Sequence, residues 1–266
     1  MIQVRELQKT FIQPGGEEVP ALRGIDLVMP PGQFLTVIGT NGSGKSTLLN
    51  ALAGGFFADT GSIVIDGKEV TRIPEHGRAG LIGRVFQDPY KGTCPSMTVA
   101  ENLRMAELRG LRRGIRVGLN AACRARYHDL LKRLRMRVEN RLDALIGTLS
   151  GGQRQAITLM MATIRRPSLL LLDEHTAALD PRAAEQVLMV TREVVQEDKL
   201  TTLMVTHSMD QALELGERTI MMHRGSIVAD LSGDERKETR VADLLERFSR
   251  LRHTIEYTAQ FKTTGE

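Results

Sequence analysis

Apolar residues near the start of the chain fall into short blocks, Ile2 to Leu7, Ile25 to Met29 and Phe34 to Ile38, set apart by the turn-forming runs Pro14-Gly15-Gly16 and Pro30-Pro31-Gly32. Blocks of that length, rich in β-branched and aromatic residues and bounded by Pro and Gly, predict strands. The third leads directly into a glycine-rich loop. After it, Lys45 to Ala53 is predicted helical, Ser62 to Ile65 a strand closed by Asp66-Gly67, and Ile82 to Phe86 another strand. The period then changes: Val99 to Arg109 and Leu119 to Val138 carry apolar residues at helical spacing, and no strand candidate occurs between Gln87 and Leu149. A helical lobe is therefore expected to interrupt an α/β pattern. From Gly151 the alternation resumes: helix to Arg165, strand Leu169 to Asp173, helix Pro181 to Glu197, strand Thr202 to Thr206, helix Met209 to Leu215, then strands at Thr219 to Met222 and Ile227 to Ala229. Strands alternating with helices predict a largely parallel sheet. From Gly233 onward the chain is charged, holds one amphipathic segment, Val241 to Leu251, and ends in a polar tail.

Composition narrows the classes. With 266 residues, 41% of them hydrophobic, the chain can bury a large core, so disorder is excluded as an overall description. Leu169 to Leu172, among its longest apolar runs, is far short of the roughly 18 residues a membrane-spanning helix needs. The opening Met-Ile-Gln-Val-Arg-Glu brings charge too early for an export signal. Cys94 and Cys123 lack metal-ligand spacing and are too few for a disulfide framework, which leaves reduced thiols in the cytosol as the simplest reading. The net charge of +4 is uneven, with twelve Lys and Arg between residues 104 and 141 against Glu107, Asp129 and Glu139. Such a face attracts anionic lipid headgroups or is a solvated helical surface. Without interleaved aromatics or a recognition motif, nucleic acid is not an expected partner.

Chemistry enters at the glycine-rich loop. Gly39-Thr40-Asn41-Gly42-Ser43-Gly44-Lys45-Ser46, followed by Thr47, fits G-x-x-x-x-G-K-[ST] between a predicted strand and a predicted helix. Glycines permit a tight wrap in which backbone N–H groups point at phosphate oxygens, and the helix start adds the positive end of its dipole. Lys45 then supplies charge to the β and γ phosphates of a nucleotide, and Ser46 an oxygen ligand for Mg²⁺. Four leucines end in Asp173-Glu174, two carboxylates at the C-terminal edge of a central strand, where ligands bind in such sheets. Adjacent strand residues point apart. Asp173 can thus serve the Mg²⁺ shell while Glu174 polarises a water for in-line attack.

Leu149-Ser150-Gly151-Gly152-Gln153 resembles the signature of the ATP-binding cassettes, and it precedes Asp173 at the interval that family shows. Ser150 and the glycines at a helix start make a second anion site, which in that family faces the γ-phosphate bound to the opposite subunit. The resemblance implies a RecA-like P-loop core with an antiparallel β subdomain and an inserted helical subdomain. Its implied bounds are a nucleotide-binding domain over 1–232 (core 1–87 and 154–232, helical subdomain about 88–153) and a C-terminal helical tail over 233–266. It also implies that Gln87 contacts Mg²⁺ or the attacking water, that Asp180 of Ala178-Leu179-Asp180 bridges two subunits, that His207 contacts the γ-phosphate, and that Phe11 lies against adenine.

Two positions depart from common members: Thr40 and His175 stand where proline is frequent. Neither removes a catalytic group, and His175 is either a residue titrating near neutrality at the dimer interface or a loop-packing residue. What the resemblance implies is an ATPase acting as a head-to-tail homodimer with two sandwiched ATP molecules. Its partners would be integral membrane permease subunits and an extracytoplasmic solute-binding protein, at the cytoplasmic face of the inner membrane. Asp173 to Asp180 and Thr93 to Thr98 further look like a subgroup of bacterial ATPases assigned to amino-acid uptake, including tryptophan or tyrosine importers. Lipid or lipoprotein extraction and export would carry the same motifs. Soluble cassette ATPases acting on ribosomes or DNA usually carry a second cassette or a long heptad coiled coil, and neither is present in this sequence.

Overall fold

The structure, a computed structural model, describes residues 1–111, 118–247 and 249. β1 (Ile2–Ile12) and β2 (Glu18–Met29) form a hairpin that runs well beyond the apolar cores predicted for them. Their outer residues are largely exposed, so it is cross-strand pairing, such as Phe11 opposite Val19, that extends them, and this leaves no mark in a burial pattern. With β4 (Thr60–Ile65) and β5 (Lys68–Glu69) they make an antiparallel sheet of order β2-β1-β4-β5.

The second sheet has order β10-β9-β3-β8-β7-β6. In it β3 (Phe34–Gly39), β6 (Ile82–Val85), β7 (Leu169–Asp173), β8 (Thr202–Val205) and β9 (Arg218–His223) run parallel, while β10 (Ser226–Leu231) is antiparallel to β9. β6 is an edge strand. α1 (Lys45–Ala53) lies between the two sheets, where Leu48 and Leu52 join Ile2, Leu35, Leu171 and Val205 in one core. On the opposite face Leu170 and Leu172 meet α5 (Gly151–Thr163), α6 (Pro181–Asp198) and the helical lobe. β7 is therefore buried on both faces, which is why its sequence is an unbroken apolar run.

In the lobe, α3 (Val99–Glu107) begins with a capping box of Thr98 and Glu101, and α4 (Ala121–Lys132) is capped by Asn120. Both are shorter than predicted. Arg135 and Arg137 adopt left-handed backbone angles (φ 53° and 57°), so the expected helix through Val138 breaks at its last turn and continues as short 3₁₀ turns. A bridge pairs Thr98 with Leu145, one extended contact where none was predicted.

The sequence pattern also missed α2 (Glu75–Arg78), one turn long, whose Arg78 is buried and donates at 2.7 Å to Ala51 O and Leu52 O at the end of α1. After α7 (Met209–Leu215), β9 and β10, the chain forms α8 (Gly233–Glu238) and a helical stretch over 241–247. Buried Leu244 docks that stretch on Ile38, Met221 and Leu231. Phe248, Arg250 and Leu251 of the predicted segment, and the polar tail, lie outside the described residues. No helix among the described residues is long and apolar enough to cross a membrane.

Candidate nucleotide-binding and hydrolysis site

β3 and α1 are joined by the predicted phosphate loop. Gly44 stands at the helix N-cap with φ 101°, and a Cβ there would meet Ala21 O at 2.6 Å, so only glycine fits against β2. No side chain caps α1, and its first turn carries no acidic residue. Its leading N–H groups are thus left for an anion. The buried Lys45 ammonium donates to Gly39 O (2.9 Å) and Thr40 O (3.0 Å). Burial pulls its pKa below the usual lysine value, while Glu174 and Asp173 act to raise it, so both carboxylates lie within electrostatic reach of the loop. The Ser43 hydroxyl is buried without a hydrogen-bond partner, an orphan polar atom in the cradle itself. Asn41, Gly42 and Ser46 are exposed, Thr47 partly so.

The two adjacent carboxylates part as expected. Asp173 ends β7 and pairs with the Arg84 guanidinium of β6 at 3.1 Å. Glu174 takes a left-handed backbone (φ 44°) held by its N–H on Val205 O, and its Oε1 lies 2.7 Å from His207 Nε2. A β-region residue would send this side chain elsewhere. The strained angle is tied to the site. Gln87, exposed, lines a cavity of about 580 Å³ together with Asn50, Arg84, Asp173 and Ala178.

Ser150 and Gln153 form a capping box at the start of α5, and Asp180 caps α6 by accepting from Ala183 N at 3.0 Å. A Cβ on Gly152 would come within 2.8 Å of Ala183 Cβ, so this glycine is what lets α5 and α6 meet. Ser150, Gly152 and Gln153 line their own cavity of about 340 Å³, beside Arg135 and Arg137, which shares no residue with the cavity at Asp173. The Asp173 carboxylate and the predicted second anion site are thus not assembled into one pocket of this chain. Phe11, 39% exposed, stacks edge-on against Phe56 at 5.2 Å, with Lys9 Nζ 5.4 Å from its ring centre.

Sequence reasoning passed over three groups at this site. Arg84 was a lone charge inside an apolar strand. Gln155, fully buried, donates to Phe86 O (2.8 Å) and His175 O (2.7 Å), tying α5 both to the strand before Gln87 and to the loop after Glu174. Phe56 gave no signal beyond being aromatic. Of the two readings of His175, the structure supports packing: it is 2% exposed, bonded to Thr191 Oγ1 at 3.1 Å, and burial pushes its pKa down to about 4, so it does not titrate near neutrality.

The basic stretch also takes a definite form. Arg104 and Arg126 pair with Glu107, Arg124 with Asp143, Arg133 with Glu197, and Arg135 with Glu193, so much of its charge is neutralised within the chain. Arg112, Arg113 and Arg116 lie outside the described residues.

A glycine-rich loop leading into an uncapped helix, with a lysine inside it and a carboxylate pair at the C-terminal end of β7, one strand removed from β3 in the same sheet, defines a P-loop nucleotide triphosphatase. The profile of the family described as ABC transporter matches residues 22–177. The chain is 41% identical over 251 residues to a tyrosine transport ATP-binding protein of Clostridioides difficile (strain R20291), covering 93% of this chain and 98% of that one. It is 35% identical over 223 residues to lipoprotein-releasing system ATP-binding protein LolD 1 of Caulobacter vibrioides, covering 82% and 91%. Among solved structures it resembles a dimeric post-hydrolysis state of an ATP-binding cassette bound to ADP and Pi, with a TM-score of 0.74 at 27% identity, covering 87% of this chain and 98% of that one. The chain belongs to the ABC transporter family, as an ATP-hydrolysing nucleotide-binding subunit.

Proposed function

We propose that this subunit energises uptake of an amino acid or similar small solute through separate membrane-spanning subunits, working as a head-to-tail homodimer at the cytoplasmic face of the membrane. The observation that carries the dimer is the separation of the Asp173–Gln87 cavity from the Ser150 cavity within one chain: each is half of a site. The dimeric state of the similar solved cassette supports it. Amino-acid transport is supported by the tyrosine transport relative, which matches over nearly the whole chain, and an extracytoplasmic solute-binding protein would complete an uptake system. The weaker match to a lipoprotein-releasing protein leaves substrate extraction as the competing reading.

In this proposal the N–H groups of residues 40–46 and the Lys45 ammonium hold the β and γ phosphates, with Phe11 against the adenine. Ser46, Asp173 and Gln87 offer hydroxyl, carboxylate and amide oxygens, a hard donor set that fits Mg²⁺. Bound there, Mg²⁺ would neutralise charge on the phosphate oxygens. Glu174 polarises the attacking water, held in place by His207, whose other task is the γ-phosphate. The partner's Ser150, Gly151, Gly152 and Gln153 close the site, with Asp180 at the junction.

A groove of about 460 Å³ runs beside the free edge of β6, lined by Phe86, Met105, Arg109 and Met161 among others. It is a fitting seat for a helix of the membrane subunit, next to Gln87. Tagged Glu174→Gln protein, purified in mild detergent with ATP from its native membranes, tests the reading. A multi-span permease with a solute receptor supports uptake. A permease with a lipoprotein-handling subunit shifts the reading to extraction, and ribosomal or DNA-bound proteins would overturn it.

A further inference from the structure

Arg84 stands where the two cavities of the catalytic half meet. It sits on the edge strand β6, in register with Leu171, so Asp173 is its diagonal neighbour on the same face of β7. Its guanidinium reaches Asp173 Oδ2 at 3.1 Å and stacks at 4.5 Å on the Phe86 ring, and its side chain lines both the Asp173–Gln87 cavity and the groove along the strand's free edge. Both partners are shielded, with 14% and 18% of their side-chain surface exposed, so water screens the pair only weakly. One donor is unsatisfied: Arg84 Nε is buried without a hydrogen-bond partner. This arrangement therefore leaves the guanidinium short of an acceptor while it occupies one oxygen of the carboxylate.

We infer that Arg84 is a positioning residue of the metal site, a resident cation that holds Asp173 when no divalent ion is bound and that any divalent ion has to compete with. The inference rests on the reading of Asp173 as a Mg²⁺ ligand. Its physical basis is charge. A guanidinium stays protonated at any working pH, so its positive charge beside the carboxylate is permanent. A divalent ion bound to the same carboxylate sits within a few ångströms of that positive charge, and at the low effective dielectric of a part-buried site this repulsion weakens the ion. Arg84 thus sets how much Mg²⁺ the site needs. Because the same side chain borders the groove, that setting is exposed to whatever the groove holds.

The test reads metal binding without turnover. Full-length Glu174→Gln protein is titrated with Mg²⁺ in the presence of a fluorescent ATP analogue, and the half-saturating Mg²⁺ is compared with that of Arg84→Met, Arg84→Gln and Arg84→Lys made in the same background. The two neutral variants are expected to lower it at least threefold, and the lysine variant to stay close to the parent. An unchanged or raised value in both neutral variants would overturn the inference, as would a lysine variant that behaves like the neutral ones. Analogue binding in EDTA reports an intact phosphate loop in each variant, and the pair Met and Gln guards against one substitution failing to fold. Asp173→Asn separates the two claims. If it abolishes the Mg²⁺ response while the Arg84 variants leave the half-saturation point in place, only the role of Arg84 falls; if it leaves the response intact, the metal reading falls and this inference with it.

Discussion

His175 follows the proposed catalytic Glu174 by one position, yet the two residues live in different media. Glu174 lines the site, paired to a half-exposed His207, whereas His175 points into the core against Thr191. Burial holds the imidazole neutral, with a pKa of about 4 against roughly 6.5 when unfolded. A depressed folded-state pKa contributes stability that is complete above the unfolded value and is lost as pH falls from about 6.5 toward 4, because the unfolded chain binds the proton first. By pH 5 the loss from this residue should reach about 2 kcal/mol. Urea unfolding at pH 7 and pH 5 checks it: His175→Gln should flatten the difference. An equal pH dependence in both proteins would place the effect elsewhere.

Elements show where the sequence was informative and where it was mute. β7 and the phosphate loop could be read because one requirement fixed each: burial on both faces demands an apolar run, and a tight anion cradle demands glycines at set spacing. Asp173 and Glu174 then followed from position alone. Arg84, Gln155 and Phe56 could not be read, since their meaning comes from contacts across the sheet and between α5 and distant loops. The break in the lobe helix was hidden for a similar reason. Arg135 and Arg137 are ordinary helix residues in sequence, but here they take left-handed angles, and Arg135 reaches Glu193 of α6. At this scale Gly152→Ala is the sharp prediction. Its added methyl would collide with Ala183 and push α5 from α6, costing about 1–3 kcal/mol. Denaturant unfolding should show that loss, while Gly42→Ala, which meets no neighbouring atom but sits at φ 74°, should report backbone strain alone.

At the scale of the whole molecule, each ATP site of the proposed homodimer is divided between two chains. Lys45→Ala removes the phosphate lysine but leaves the Ser150 surface, and Ser150→Arg blocks that surface but leaves the loop. Each protein alone should hydrolyse ATP poorly, and mixing them should restore activity, since one of the two sites in the mixed dimer is then intact. Full turnover by Ser150→Arg alone would mean that a single chain holds the entire site. The most direct measurement is phosphate release at saturating Mg²⁺ and ATP by the wild type and by Glu174→Gln, with gel filtration of the variant in ATP. Loss of the base should slow release at least about 100-fold, with ATP still bound and the protein eluting as a dimer; undiminished release by Glu174→Gln would contradict the assignment of Glu174 and the mechanism built on it.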